Sequence, residues 1–439
     1  MRFENELFQI NKCVIKKVLS RANQSEYYRR LFEKENINVE EINTYEDFLK
    51  IPTLDKITYS LNKYDMIVER QKKNAIKQEI FDVTDIQEKR KVLEKNGVYL
   101  KVTSGSTGIP LEILKDKKDL LREYIGLNFA RKDVLGNLPQ GKYVWIWPAN
   151  KKIRDYFYDD GNAGIYQENE YGFKYMMPEY SSESLKKLSD FILDNSITWI
   201  TAPSFMLYFF AKYVEQQKIS IRFEYIECHS EKLFDWQAEF IKKVFGYFPI
   251  SVYSSNEVQF MAITDKDGKM NIIERNVFLE LIEDEHGAGQ VYATSLAAME
   301  IPIIRYRLGD LAQWEGMVSD DKKKIYTISL NGYRCNDYVL TRAGKKYEPF
   351  IISDLMILLN DQFQLKICEY VVKQNDYSDF SIFFEQNILR IIKEKKEVLC
   401  YITQYFENFI GEDVKICYKD IFEIRKDVGT NKYKYFIGI

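Results

Sequence analysis

Short, nearly continuous apolar runs recur along this chain between stretches whose apolar residues fall at helical spacing, and that alternation constrains the fold more than any other feature. Tyr143-Val144-Trp145-Ile146-Trp147 and Ile197-Thr198-Trp199-Ile200-Thr201 have the pattern of buried strands covered on both faces. The spacing predicts a helix over 182–194, with Ser182 as N-cap and Leu185, Leu188 and Ile192 on one face. It predicts a second over 235–245, stopped by Gly246. Strands alternating with helices imply an α/β architecture, in which ligands sit at the carboxyl ends of parallel strands. Upstream, residues 1–95 read as mainly helical and are punctuated by Ile51-Pro52-Thr53-Leu54-Asp55-Lys56. From Gly97 the period changes to two, with Val98, Leu100 and Val102 alternating with Tyr99, Lys101 and Thr103.

Composition removes several classes of function. With 439 residues the chain is expected to hold two to four units, at ~100–200 residues per domain. Apolar residues at 46%, charged residues at 29%, and only 9 prolines and 20 glycines exclude a disordered or fibrous chain. Lys+Arg 63 against Asp+Glu 66 gives no reason to expect capture by nucleic acid or an anionic membrane. The 32 tyrosines and 28 phenylalanines read first as bulky core filling. Cys13, Cys228, Cys335, Cys368, Cys400 and Cys417 form no CxxC pair, so reduced thiols are expected. The two histidines, His229 and His286, cannot assemble a multi-histidine metal centre and leave few candidates for a Ser-His-Asp triad. Residues 1–12 lack a signal-peptide core and no run reaches the ~18 apolar residues of a bilayer span. A soluble, cytoplasmic protein is expected.

The sharpest local signal is Thr103-Ser104-Gly105-Ser106-Thr107-Gly108-Ile109-Pro110 at the end of the first predicted strand. Glycines let phosphates approach the backbone, while successive N–H groups and hydroxyls donate hydrogen bonds. No lysine follows Gly108, so this is not a Walker A loop. Strand-like segments at 277–282, 290–295 and 303–307 suggest an antiparallel or barrel-like insert. Beyond about residue 336 a separate unit of strand and helix patterns follows, with helical segments over 388–406 and a strand over 414–418. No internal repeat or low-complexity tract is present.

Further segments follow the glycine loop in fixed order, and with them the sequence resembles the adenylate-forming enzymes, in particular the branch of phenylacetate–CoA ligases and CapK-type proteins. The 103–110 loop reproduces the family's TSGSTGxP segment, whose implied partner is the ATP phosphates. Tyr253-Ser254-Ser255-Asn256-Glu257 keeps the tyrosine and glutamate of the Tyr-Gly-x-x-Glu motif and replaces its glycine by Ser254. The resemblance implies that Glu257 helps to bind Mg²⁺ and that Tyr253 faces adenine. Cys228-His229-Ser230-Glu231 lies where the family has a Gly-x-Glu segment lining the adenine and acyl pockets, which makes Ser230 and Glu231 candidate nucleotide-site residues. Pro302-Ile303-Ile304-Arg305-Tyr306-Arg307-Leu308-Gly309-Asp310 matches PxxRYRxGD, with Asp310 the implied ribose ligand. In physical terms, a carboxylate at a strand end can accept two hydroxyl hydrogen bonds, and Gly309 permits the turn that presents it.

Gly332-Tyr333-Arg334-Cys335-Asn336-Asp337 resembles the GRxDD hinge, with Tyr333 and Asn336 as departures. Gly429-Thr430-Asn431-Lys432-Tyr433-Lys434 takes the place of the Gly-Lys loop, and Lys432 is the implied adenylation lysine with Lys434 as competitor. The expected fold is therefore α/β, an adenylate-forming enzyme fold with a large multi-sheet N-terminal domain over 1–335 and a small mobile α+β lid over 336–439. The implied reaction forms an acyl-adenylate and pyrophosphate from ATP and a small carboxylic acid, with Mg²⁺. The acyl group then passes to CoA or carrier phosphopantetheine, with an amine or alcohol acceptor or a non-catalytic nucleotide-binding role as alternatives. An acyl carrier protein and a homodimer are compatible with this reading. Residues 258–290 hold no cysteine and one histidine, so no zinc is expected. Trp145, Trp147, Phe205 and Tyr208 are candidates for the acyl pocket, with His229 beside it in a lining role.

Overall fold

The computed structural model describes residues 2–103, 111–148, 164–177, 182–230, 233, 235–283, 289–320, 323–330, 339–344, 346–347, 350–365, 367, 370–427 and 436–438. Six α-helices fill the first 95 residues. Strands β1 (Val98–Thr103) and β2 (Leu111–Asp116) follow as an antiparallel pair. The next strands are β3 (Lys142–Pro148), β4 (Ile165–Gln167), β5 (Gly172–Met177), β6 (Ile197–Pro203), β7 (Tyr225–His229) and β8 (Ile250–Tyr253). After them come β9 (Ala262–Thr264), β10 (Met270–Ile272), β11 (Val277–Glu283), β12 (Gly289–Ser295), β13 (Tyr306–Asp320) and β14 (Lys323–Leu330). All but the β1–β2 pair join one twelve-stranded sheet in the order β11-β12-β13-β14-β10-β9-β8-β7-β6-β3-β5-β4.

Neighbours from β8 across to β5 run parallel, and those from β8 to β11 run antiparallel. The antiparallel strands are thus no separate insert: Val252 opposite Ile263 and Tyr253 opposite Ala262 join them to the parallel half. The strand expected over 303–307 begins instead at Tyr306 and continues through Asp310 to Asp320. Arg305, at φ 51°, takes a left-handed conformation that an extended strand does not admit.

The apolar runs 143–147 and 197–201 form β3 and β6 as expected, but their two faces differ. Val144, Ile146, Ile200, Ile226 and Cys228 are fully buried. They pack beneath helices Ser182–Asp194, Ser204–Gln216 and Asp235–Phe245. Two of those helices have the expected bounds. Ser182 is the first helical residue of the earlier one, not its cap, and Gly246 at φ +83° closes the later one by donating to the Lys242 carbonyl (2.8 Å). On the opposite face, the register sets Tyr143, Trp199 and Tyr225 in one row and Trp145, Thr201 and Glu227 in the next. Leu127 of helix Lys117–Leu135 packs there with Trp199, Tyr225, Ile250 and Val252. A run that looked uniformly apolar therefore carries an aliphatic face and an aromatic, partly polar one.

The N-terminal helices share a core with β1, β2 and the antiparallel half, centred on Phe8, Phe48 and Phe278. Residues from Val339 onward build another apolar core, including Leu355, Phe380, Ile402 and Phe436. It packs on a four-stranded sheet ordered Lys415–Asp420, Asp379–Phe384, Tyr370–Asp376, Phe436–Ile437. The helical segments expected over 388–406 are the two helices Gln386–Glu394 and Lys396–Ile410, separated at Lys395. Cys13, Cys228, Cys400 and Cys417 are free thiols. Among the described residues no helix is long and apolar enough to cross a membrane.

Candidate active site

The 302–310 segment divides its residues between architecture and site. Arg305 is 4% exposed, and its guanidinium is consumed by the protein. Nε donates to both carboxylate oxygens of Glu280 (3.1 and 3.2 Å), and Nη1 to the carbonyls of Leu49 (2.9 Å) and Ile51. Leu54 adds backbone bonds to Arg305 and Arg307, so the 51–56 segment lies as a parallel bridge against the start of β13. Asp310 is not at a strand end, as expected, but inside a bulge of β13. Arg307 faces Tyr292 and Leu311 faces Gln290, so four steps on one strand oppose two on the other. Gly309 at φ +83° supplies the left-handed residue such a bulge needs.

The bulge brings Asp310 to the end of β8. Tyr253, 2% exposed, donates its hydroxyl to Asp310 Oδ2 at 2.7 Å. Four residues further on, Glu257 Oε1 accepts from the Tyr306 hydroxyl at 3.0 Å. The two motif segments are therefore clasped twice, at Tyr253–Asp310 and at Glu257–Tyr306. Between these points the chain is shaped by hydroxyls: Ser254 Oγ accepts from Phe260 N (3.1 Å) and Ser255 Oγ from Val258 N (3.0 Å). Ser254, standing where the resemblance leads one to expect glycine, thus ties down the loop that presents Glu257.

A third group lies at the carboxyl ends of β3 and β7. Trp145 Nε1 donates to His229 Nε2 at 3.0 Å, and the Trp147 ring stacks on the imidazole at 5.6 Å and 20°. His229 Nδ1 lies 2.7 Å from Ser230 Oγ. Burial pushes the imidazole down to about 4, against the pull of Glu227 two residues earlier. Glu227 is itself committed to Arg131 (2.8 and 2.7 Å) and to the Tyr225 hydroxyl (2.6 Å). Ser230 is exposed and left-handed at φ 70°, a costly conformation for serine that marks functional turns. Tyr208 stands apart from the tryptophans, packing on Phe240 in the core of the other sheet face.

Two lysines near this wall escaped the sequence reading. Lys174 Nζ lies 4.9 Å over the Trp145 ring and 3.9 Å from Glu168. Lys101 is half-buried on β1, two residues before Thr103, and among the described residues no carboxylate pairs with it. Burial, followed by the like charge of Lys115, pushes its ammonium down to about 8. Lys115 is satisfied by Glu123 at 2.6 Å with both side chains buried, whereas Lys101, two residues before Thr103 in sequence, feels Glu123 without forming an ion pair with it. The alternation that predicted β1 puts Lys101 on its polar side, so the sequence carried no signal for it.

Ser104, Gly105, Ser106, Thr107, Gly108, Glu231, Arg334, Lys432 and Lys434 lie outside the described residues, and of Thr103 only the backbone is described, opposite Leu111. An open depression of about 650 Å³ lined by Glu183, Lys186, Lys187 and Asp190 contains none of the motif residues. No family model and no curated protein matches the sequence. Solved structures do match it. One is 2-hydroxyisobutyryl-CoA ligase in the postadenylation state in complex with R3-HIB-AMP, at TM-score 0.57 and 13% identity over 98% of this chain and 89% of that one. Another is the same ligase in complex with 2-HIB-AMP and CoA in the thioesterification state, at TM-score 0.53 and 14% identity over the same shares. The chain has the fold of the adenylate-forming enzymes. That fold accounts for a sheet whose parallel half ends in Trp147, His229 and Tyr253 and whose antiparallel half brings Asp310 to the same edge.

Proposed function

We propose that this chain activates a carboxylic acid with ATP, forming an acyl-adenylate and pyrophosphate, and passes the acyl group to a thiol of CoA or carrier phosphopantetheine. The observation that carries this reading is the double clasp of Tyr253 on Asp310 and Tyr306 on Glu257. It joins, at one sheet edge, the two segments to which the resemblance assigns ribose and Mg²⁺. Support also comes from the ligase that shares the fold, which was solved with an adenylate and CoA.

In the proposed first step a carboxylate oxygen attacks the α-phosphorus of ATP. The new C–O–P linkage forms as the bond to the bridging oxygen breaks, and the electron pair leaves with pyrophosphate. No proton moves, so no general base is needed, in keeping with a single, neutral histidine at the wall. The loop 103–108 is assigned to the phosphates, Asp310 and Tyr253 to the nucleoside, Ser230 and Glu231 to the pocket rim, and Lys432 to the charge between carboxylate and phosphate. Glu257 fits Mg²⁺, because one carboxylate oxygen is held by Tyr306 and Mg²⁺ is ordinarily bound by one or two carboxylates together with substrate phosphates. Among the described residues no cluster of three metal-binding groups offers an all-protein cage. When bound, the ion neutralises charge building on the phosphates. In the second step the sulfur attacks the acyl carbon, the C–O bond to the phosphate breaks with its electron pair leaving on AMP, and the thiol proton passes to water. Residues 336–439, hinged near Arg334, are proposed to swing Lys432 out before it.

Exchange of labelled pyrophosphate into ATP across aliphatic, aromatic and amino acids tests the proposal, and failure with every acid would overturn adenylation. Lys432→Ala should cut that exchange by about 10²–10³-fold while ATP binding is retained. Asp310→Ala should weaken ATP binding about tenfold, measured by calorimetry, and equal affinity would remove Asp310 from the nucleoside site.

A further inference from the structure

We propose that Trp145 and His229 form a positioning relay that fixes the Ser230 hydroxyl as a hydrogen-bond donor to an anionic phosphate oxygen of a bound nucleotide. The argument is one of direction. An indole N–H can only donate, so at 3.0 Å from Trp145 Nε1 the His229 Nε2 must accept. A neutral imidazole carries one proton, which is thereby placed on Nδ1. At 2.7 Å, Nδ1–H then donates to Ser230 Oγ and occupies an acceptor lone pair of that oxygen. The hydroxyl hydrogen has to point elsewhere, and among the described residues no acceptor takes it. Ser230 is exposed at the carboxyl end of β7 in a left-handed conformation, and β8, which ends at Tyr253 with its bond to Asp310, is the neighbouring strand.

The ring cannot easily turn to reverse this polarity. Trp147 stacks on one face of it and Trp145 meets it at 85°. Glu227, the nearest carboxylate along β7, pulls toward protonation, but it is paired with Arg131 and burial of the imidazole outweighs that pull. The site is thus built to hold a neutral Nδ1–H histidine, the tautomer that a free imidazole does not favour.

The assignment of the ligand rests on the nucleotide reading above, whereas the tautomer does not, and the experiment separates the two. The chain has two histidines, so histidine-selective ¹⁵N NMR of the full-length protein gives two imidazole signal sets, assigned with His286→Gln. The relay requires His229 to be protonated at Nδ1 and bare at Nε2, and Trp145→Phe to shift the proton toward Nε2. A native Nε2–H form, or a tautomer unmoved in Trp145→Phe, would overturn it. For the ligand the probe is AMP. Ser230→Gly removes the hydroxyl while suiting the left-handed backbone, and should raise the Kd for AMP about tenfold. An unchanged Kd would overturn the donor role of Ser230. Absence of AMP binding to the unaltered protein would overturn the nucleotide reading and its ligand assignment, with the tautomer result unaffected.

Discussion

Two cations of this molecule, Arg305 before β13 and Lys101 on β1, are treated in opposite ways. In the antiparallel half Arg305 gives its donors to Glu280, Leu49 and Ile51, and it holds the N-terminal helices to β11 and β13. On β1, Lys101 stays without an ion-pair partner among the described residues, with its ammonium pushed down to about 8, chiefly by burial. Both residues sit in or next to a segment that resembles a known motif. The sharpness of a motif therefore does not separate scaffold from site. The pairing state of its charges does, because a saturated guanidinium has nothing to offer a ligand whereas an unpaired ammonium carries a desolvation penalty that an anion would relieve.

The largest expected effect is on the scaffold side of this contrast. Arg305→Met should lower the free energy of unfolding by about 3–5 kcal/mol, because it strips two backbone carbonyls of their donor and leaves Glu280 buried. Glu280, already pushed up by burial, can take a proton, which favours the lower end of that range. Urea denaturation measures it, and a loss below about 1 kcal/mol would erase the distinction between the two cations.

An intermediate effect is expected at the aromatic wall. Folded His229 stays neutral down to about 4, whereas in the unfolded chain it takes a proton near 6.5. Between those values the unfolded state binds more protons, so stability falls as the pH drops from about 6.5 toward 4 and is fully present above 6.5. After discounting for partial exposure, the loss is about 2 kcal/mol. In His229→Gln this part of the pH dependence should vanish, and denaturation curves of the two proteins at pH 7 and pH 5 compare them. A wild-type histidine titrating normally would mean that the wall is wet.

What the sequence made legible follows the same division. Period and punctuation gave the helices Ser182–Asp194 and Asp235–Phe245 and the strands β3 and β6 to within a residue or two, because their apolar faces meet a contiguous core. The start of β13 was misplaced because Ile303 and Ile304 are buried as a strand would be, yet Arg305 turns left-handed to reach Glu280, a partner 25 residues away that no local pattern reveals. Asp310 was legible as a motif residue, but its bulge was not, since a bulge is a property of two strands in register. Tyr253, Glu257 and Ser230 were named singly. That Tyr253 reaches Asp310, and Trp145 reaches His229 across 84 residues, depends on strand order, which alternation alone leaves open. Lys101 passed unnoticed because a lysine in a two-residue period reads as a solvated face.

The smallest expected change in stability is also the one with the opposite sign. Lys101→Met keeps the length of the side chain and removes a charge that the fold disfavours. Because the folded pKa lies near 8, below the ordinary lysine value near 10.5, the unfolded chain binds the proton more tightly between those values. The stability deficit is therefore full below pH 8 and recovers as the pH rises toward 10.5. At pH 7 the methionine variant should be more stable than the parent by about 1 kcal/mol, a value reduced for partial exposure, with the gain shrinking above pH 8. If the unpaired ammonium is held for an anion, the same variant should bind ATP several-fold more weakly, with less salt dependence of binding. Gain in stability together with loss of affinity is the signature of a charge kept for a ligand. A stability loss with unchanged ATP affinity would instead make Lys101 a second Arg305, a cation that the fold itself requires.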